Sequence, residues 1–312
     1  MNRKLIIIGF GIVVVLLLWS GISIYPDWLW FENLGFSPVF WTMLLSKFGF
    51  GALVWLALVL IIGVNIYMAN RLNPRPETGA ALSVAGDYVS QFGLSPARLK
   101  TLVTALILFL PFYIASKGSA QWDLLLRYLY QQPFGSSDPI FNRDIGFYLF
   151  SLPFYIFLQN GLLVLFITAV PATMAWYLKN GALKIEGDLD QVAGASTPMP
   201  KITLAENVKK HLIFLGGILV LLLAWAYRLK MYGLLYSPHG AAFGASYTDV
   251  HVKVLAYKII VLFSIGFAAV LFVNAFKPKM KVVWISGGIW IGAILVLGTG
   301  FPILVQKFVV KP

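Results

Sequence analysis

The chain has 312 residues, of which 59% are hydrophobic and only 12% charged, with no cysteine and a formal net charge of +12. A water-soluble domain carries about 25% charged residues, so lipid is the solvent for most of this chain, and the missing cysteines exclude disulfides, thiolate metal sites and cysteine nucleophiles. The positive charge is scattered between apolar runs, which reads as orientation and headgroup contact and excludes the clustered basic face of a nucleic-acid binder.

The chain opens on Met1-Asn-Arg-Lys and an apolar run over 5–24. That run is long for a cleaved leader and no Ala-x-Ala site follows, so it is expected to be an uncleaved first span entering from the cytoplasm. Residues 25–41 are crowded with Trp, Phe and Tyr, which favour the headgroup layer, so this stretch is expected to lie along the outer surface. A second span is predicted over 42–69, with Lys47 snorkelling near its start and Asn65 near its far end. Asn73-Pro-Arg-Pro then breaks the helix, and Ser95-Pro96 starts the third span, 99–115, in which Pro111 predicts a kink.

The connection 117–147 forms a second outer segment. Within it Trp122, Leu125, Leu126 and Leu129 share one helical face, while Asp123 and Arg127 are spaced i, i+4 on another. That pattern predicts a short helix lying in the interface plane. The fourth span is predicted over 150–177, with a kink at Pro171. The loop after it carries Glu186-Gly-Asp-Leu-Asp, whose spacing does not satisfy a calcium loop, so a solvated acidic turn is expected. Spans over 211–227, 254–276 and 282–305 follow, separated by a third outer segment, 229–253, and by a tight Lys277-Pro-Lys-Met-Lys turn.

The expected fold is therefore an all-α polytopic bundle of about seven transmembrane helices forming a single domain over 1–312. The larger share of the 24 Lys and Arg falls on the side of the N-terminus. That bias puts the N-terminus inside and the C-terminus outside.

Few residues carry chemistry. The island Tyr236–His251 holds two of the chain's three histidines. Tyr247, Thr248, Asp249 and His251, with His239, are candidates for a ligand or ion site. The plainer expectation is that Thr248 or Asp249 caps the sixth span while the small residues make a turn. A second cluster, Asp138, Arg143 and Asp144, is expected to be structural, with Arg143 pairing an acid to pin the loop. Asn65, Gln159 and Asn160 are candidates to line a cavity, although such residues more often bond between helices. No ionisable group lies deep in a span, which argues against a charge relay. No nucleophile elbow, phosphate loop or zinc motif occurs, so no catalytic residue, metal site or cofactor is expected.

Three long strings, Asp27-Trp-Leu-Trp-Phe, the run from Asp138-Pro-Ile-Phe to Leu152-Pro-Phe, and the run from Leu235-Tyr-Ser to Asp249-Val-His, together with Phe301-Pro-Ile-Leu-Val-Gln, resemble a bacterial multi-pass family, uncharacterised protein family 0182. The resemblance implies a plasma-membrane protein with about seven N-terminal spans and a large extracytoplasmic domain after the last, which this chain, ending at Pro312, would lack. It implies no catalytic residue. On these grounds the chain is expected to be a non-enzymatic membrane module that anchors or docks an extracytoplasmic domain or partner, with the lipid bilayer as its surroundings. The alternatives are a transporter or channel for a neutral or lipid-like solute and, less favoured, an enzyme on a lipid-linked substrate.

Overall fold

The computed structural model describes residues 11, 21–72, 109–179, 183–186, 201–237 and 244–310. Helix α1 covers 21–33 and turns sharply into α2, Ser37–Leu72. The turn is a Schellman motif: Gly35 takes φ 76°, and the Phe36 N–H donates to the Phe31 carbonyl at 2.8 Å. Glycine is required there because the left-handed conformation is costly for a residue with a Cβ. Residues 25–41 thus comprise the end of α1, this turn and the start of α2.

Helix α3 covers 109–119, and α4, Trp122–Leu129, is the short amphipathic helix that the spacing predicts. Its Asp123–Arg127 ion pair closes at 3.1 Å. A loop then leads through a π turn, Phe147–Ser151, into α5, Leu152–Lys179, which runs unbroken through Pro171. The following loop pairs two short antiparallel strands, β1 Leu183–Glu186 and β2 Lys201–Leu204, the one ladder of the chain's described part. Helix α6, Glu206–Gly233, ends in a 3-10 turn at Leu234–Tyr236. A π turn, Asp249–Lys253, opens α7, Val254–Phe276. Helix α8 is the continuous run Met280–Val310, with π turns at Val296–Gly300 and Gln306–Val310.

Five of these helices are long and apolar enough to cross a membrane among the described residues. Most of the expected first and third spans lies outside the described residues, as do His239 and the acidic turn beyond Glu186. The helical runs also exceed their expected limits. Both α6 and the start of α7 extend into the 229–253 segment, because the polar residues there cap and line helix ends instead of replacing helix.

The connectivity sends the α1–α2 turn, the α3–α5 connection, the α6–α7 connection and the end of α8 to one end of the bundle, the loop face. The β ladder and the α7–α8 turn lie at the opposite face. Helices α6 and α7 form the most extensive pair, with α5 against α6, α8 against α7 and α2 against α5.

Lipid tails are as apolar as leucine, so close backbone approach and isolated hydrogen bonds must hold such helices together. Both are present. A Cβ on Gly217 would sit 2.7 Å from the Phe272 ring, so only glycine lets α6 and α7 approach there. Trp290 on α8 donates to Ser264 Oγ on α7 at 2.8 Å, and Gln159 on α5 donates to the Leu222 carbonyl on α6 at 3.4 Å. At the opposite face Tyr177 and His211 share a buried hydrogen bond of 2.8 Å, and Trp176 donates to Asn70 Oδ1 at 2.8 Å.

Gly217→Ala should therefore lower the thermal stability of the purified protein by about 1–3 kcal/mol through overpacking. Gly216→Ala, whose Cβ would find Leu271 at a comfortable 3.9 Å, should be close to neutral. Unfolding curves in detergent for the two variants check this, and equal effects would contradict the account.

Candidate functional site

The loop face is built on three buried or half-buried carboxylates, each saturated by its own surroundings. Asp138 comes first. Its Oδ1 accepts the backbone N–H of Ile140 at 2.9 Å and of Phe141 at 2.6 Å. Its Oδ2 accepts the Arg143 N–H at 2.9 Å and the Tyr148 hydroxyl at 2.7 Å. Asn142 closes this tight turn at φ 52°, which asparagine tolerates because its short polar side chain suits the left-handed region. Burial pushes the Asp138 carboxyl up, but the four hydrogen bonds outweigh it and hold its pKa below the ordinary 3.8.

Asp144 organises the other half of the loop. It accepts the N–H groups of Phe134 at 3.1 Å, Gly135 at 3.0 Å and Gly146 at 2.7 Å. The last of these makes it the N-cap of the helix that leads into α5. The three N–H groups keep its pKa below the ordinary value as well. Arg143 does not pair with either acid. Its guanidinium lies over the Phe147 ring at 5.5 Å, because the backbone N–H groups already occupy the carboxylates.

The loop is fastened to the bundle by aromatic rings. Phe141 meets Tyr232 edge-on at 5.1 Å, and Tyr148 lies within 6.4 Å of Tyr232 and 6.1 Å of Tyr236. This cluster continues into a core of Leu152, Leu229, Met231, Tyr257 and Ile260. Two cations extend it outward: Arg228 lies over Tyr232 at 5.1 Å, and Lys230 lies 5.8 Å from Tyr227 and 5.6 Å from Tyr257.

The third carboxylate, Asp249, is 0% exposed. It forms a capping box with Ser246: the Ser246 N–H donates to Asp249 Oδ2 at 3.0 Å, and the Asp249 N–H reaches Ser246 Oγ at 3.2 Å. Oδ1 meets the Lys253 ammonium at 2.7 Å as an ion pair. The cap is therefore Ser246, with Asp249 as its reciprocal partner. Thr248 does not cap: its hydroxyl donates to Gln306 on α8 and latches the end of that helix to the start of α7. Tyr247 and His251 project outward, stacked edge-on at 4.3 Å.

The sequence candidates thus separate. Asp138 with Asp144, and Thr248 with Asp249, belong to two polar knots on the same face. His251 has Tyr247 as its ring neighbour, and no group of three or more metal-ligating side chains occurs among the described residues. Asn65 donates to the carbonyl of Ile61 in its own helix at 2.8 Å, and Gln159 bonds α6, so these two are engaged in the bundle. Asn160 instead lines an apolar groove on the flank. Sequence reasoning missed Ser246, Lys253, Gln306 and the tyrosine cluster. The Ser-x-x-Asp spacing was the available signal for the first.

Taken together, the apolar spans and the hydrogen-bonded loop face define a polytopic α-helical membrane protein. The sequence relationships make the assignment specific: the description "Uncharacterised protein family (UPF0182)" matches residues 4–312, and the chain belongs to that family. A UPF0182 protein from Desulforamulus reducens is 30% identical, with 99% of this chain and 33% of that protein covered. A UPF0182 protein from Pelotomaculum thermopropionicum is 31% identical over 98% of this chain and 33% of its own length. One from Cupriavidus necator is 32% identical over 97% of this chain and 32% of its own length. The chain thus spans about a third of the length of the curated relatives it matches. No solved structure matches.

Asp138→Ala should leave several donors of the loop without an acceptor and destabilise it by about 2 kcal/mol. The carboxylate's folded pKa lies below 3.8, so its stabilisation is complete above that value and lost as the pH falls beneath it. Limited proteolysis of residues 130–146 should accordingly accelerate in the variant at pH 7, and in the native protein only below about pH 4. A variant cleaved no faster than the native chain would remove Asp138 from this role. Asp249→Ala, which strands the partly buried Lys253, should cost about 3–5 kcal/mol of global stability in thermal unfolding.

Proposed function

We propose that this chain is a non-enzymatic membrane base that seats an extracytoplasmic folded domain or partner on its loop face. The observation that carries the reading is the construction of that face. Loops that merely connect spans need no saturated carboxylates, yet here two knots fix the connections before anything binds. Around the knots, Tyr130 is 75% exposed, Tyr247 57% and Phe134 56%. Exposed aromatics on a rigid support are the composition of a protein-binding surface. The length of the relatives outside the matched third supports room for such a domain.

In this reading the N-terminus is cytoplasmic, the membrane is the bacterial plasma membrane, and the loop face is extracytoplasmic. A pathway for a neutral solute would need Asn65, Gln159 and Asn160 to face one lumen. Two of them are spent on backbone carbonyls, which favours the base over the transporter. An enzyme on a lipid-linked substrate would need a carboxylate beside His251, and Asp249 is committed to Ser246 and Lys253.

The absence of cysteine makes the test direct. Tyr247→Cys in intact cells should react with a membrane-impermeant maleimide, whereas Lys209→Cys should react only after permeabilisation. A photo-crosslinking residue at Tyr130 or Tyr247 should then give a discrete crosslink to a folded extracytoplasmic protein segment, and one at Trp284 on α8 should not. Labelling of Lys209→Cys alone from outside, or crosslinks equally frequent from Trp284, would refute the reading.

A further inference from the structure

The charges of the loop face are sorted by sign. The carboxylates of the two knots are occupied: Asp138 by backbone N–H groups and the Tyr148 hydroxyl, Asp144 by backbone N–H groups, and Asp249 by Ser246 and Lys253. Asp123 pairs with Arg127, and Asp27 and Glu32 stand on α1. The cations around the knots are not occupied in this way. Arg143, Arg228 and Lys230 are exposed, and none of them has an acidic partner among the described residues.

The two arginines belong to one aromatic cluster. Arg143 lies over the Phe147 ring at 5.5 Å and Arg228 over the Tyr232 ring at 5.1 Å, and those two rings meet edge-on at 5.1 Å. The guanidinium groups therefore sit on adjoining rings, one carried by the loop and one by α6. Both rings also touch Tyr148, which Asp138 holds, so the platform under the charges is fixed. Stacking uses the face of a guanidinium and leaves the N–H groups at its edge, whose fork matches the two oxygens of a carboxylate. Among the described residues the two groups make a single hydrogen bond, from Arg228 Nη1 to Met231 Sδ at 4.0 Å, and a thioether is a weak acceptor. Beside them Tyr236 is 55% exposed and lies 6.1 Å from Tyr148. Arginine next to tyrosine is the combination in which the binding energy of protein interfaces concentrates.

We infer that Arg143 and Arg228 anchor whatever is seated on the loop face, and that the seated protein surface is acidic, presenting Asp or Glu carboxylates to the two guanidinium forks. The inference rests on the seating role and names the chemistry of the partner. Charge complementarity carries it: the face keeps its negative charges satisfied internally and offers only positive ones outward around the knots. The fixed platform favours a folded protein over lipid headgroups, because a fluid layer gains nothing from donors held in position.

The test uses the full chain in its own membranes, with a photo-crosslinking residue at Tyr236 or Tyr247. The discrete protein crosslink should weaken several-fold when salt is raised from about 50 mM to about 500 mM, because exposed charges are screened. The double charge reversal Arg143→Glu with Arg228→Glu should lower its yield about tenfold at low salt. Arg127→Gln, whose arginine already pairs with Asp123, should leave the yield unchanged. Arg143→Lys with Arg228→Lys keeps the charge without the fork and should fall between wild type and the reversal. Unchanged proteolysis of residues 130–146 in each variant shows that the loop is intact. A crosslink that survives both the reversal and high salt overturns the acidic partner and leaves the seating role standing, whereas no discrete crosslink in wild type removes the seating role itself. Crosslinks to phospholipid in place of protein, lost on the same reversal, would assign the arginines to headgroups and overturn the inference as well.

Discussion

A carboxylate that has exchanged water for four fixed donors holds the loop face together. Asp138 sits where the chain reverses between α4 and α5, and its two oxygens take three backbone N–H groups and the Tyr148 hydroxyl. Through Tyr148 the turn is tied to α5, and through Phe141 and Tyr232 to α6. Near a bilayer this is one effective solution. An irregular backbone against lipid cannot leave its N–H groups unpaired, and a charged acceptor with two oxygens satisfies several at once. The same carboxylate without those donors would carry a desolvation penalty of several kcal/mol.

Below the loop face a different rule operates. The spans gain little from hiding apolar surface from an apolar solvent, so they are located by shape and by single polar contacts. Gly217 against Phe272 sets the approach of α6 to α7, and Ser264 with Trp290 sets that of α8. Gln159 and the Tyr177–His211 pair do the same for α5 on α6. These residues read as isolated polar defects in the sequence. In the fold each is a helix-to-helix fastener, which is why none of them marks a charge pathway.

The helical class and the amphipathic helix at 122–129 were legible because hydropathy and the 3.6-residue period report directly on solvent. The two polar clusters were legible as clusters but not in their wiring. Arg143 and two acids suggest an ion pair, yet the backbone of a tight turn lies closer to Asp138 and Asp144 than any guanidinium. Local N–H groups win because they need no side-chain ordering. Thr248 and Asp249 were read as caps without Ser246, although the Ser-x-x-Asp pattern was present. The β1–β2 ladder left no signal, since four-residue strands are too short for an alternating pattern to stand out. In residues 25–41 the turn between α1 and α2 has one clear mark in the sequence, Gly35.

Exposed aromatics at the end of a membrane bundle admit a plain explanation, an interfacial belt. A belt requires rings at one level around the bundle and makes no demand on the loops that carry them. The loop face does more. Tyr130 and Phe134 flank the Asp144 knot, and Tyr247 stands on the Asp249 capping box, so each ring is held by a structure that a belt would not need. Binding to a folded partner does need it, because every loop ordered beforehand is entropy that association no longer has to supply. The two knots stiffen the connections at a cost in buried charge, and in the proposed seating role that cost is returned as a face of fixed shape.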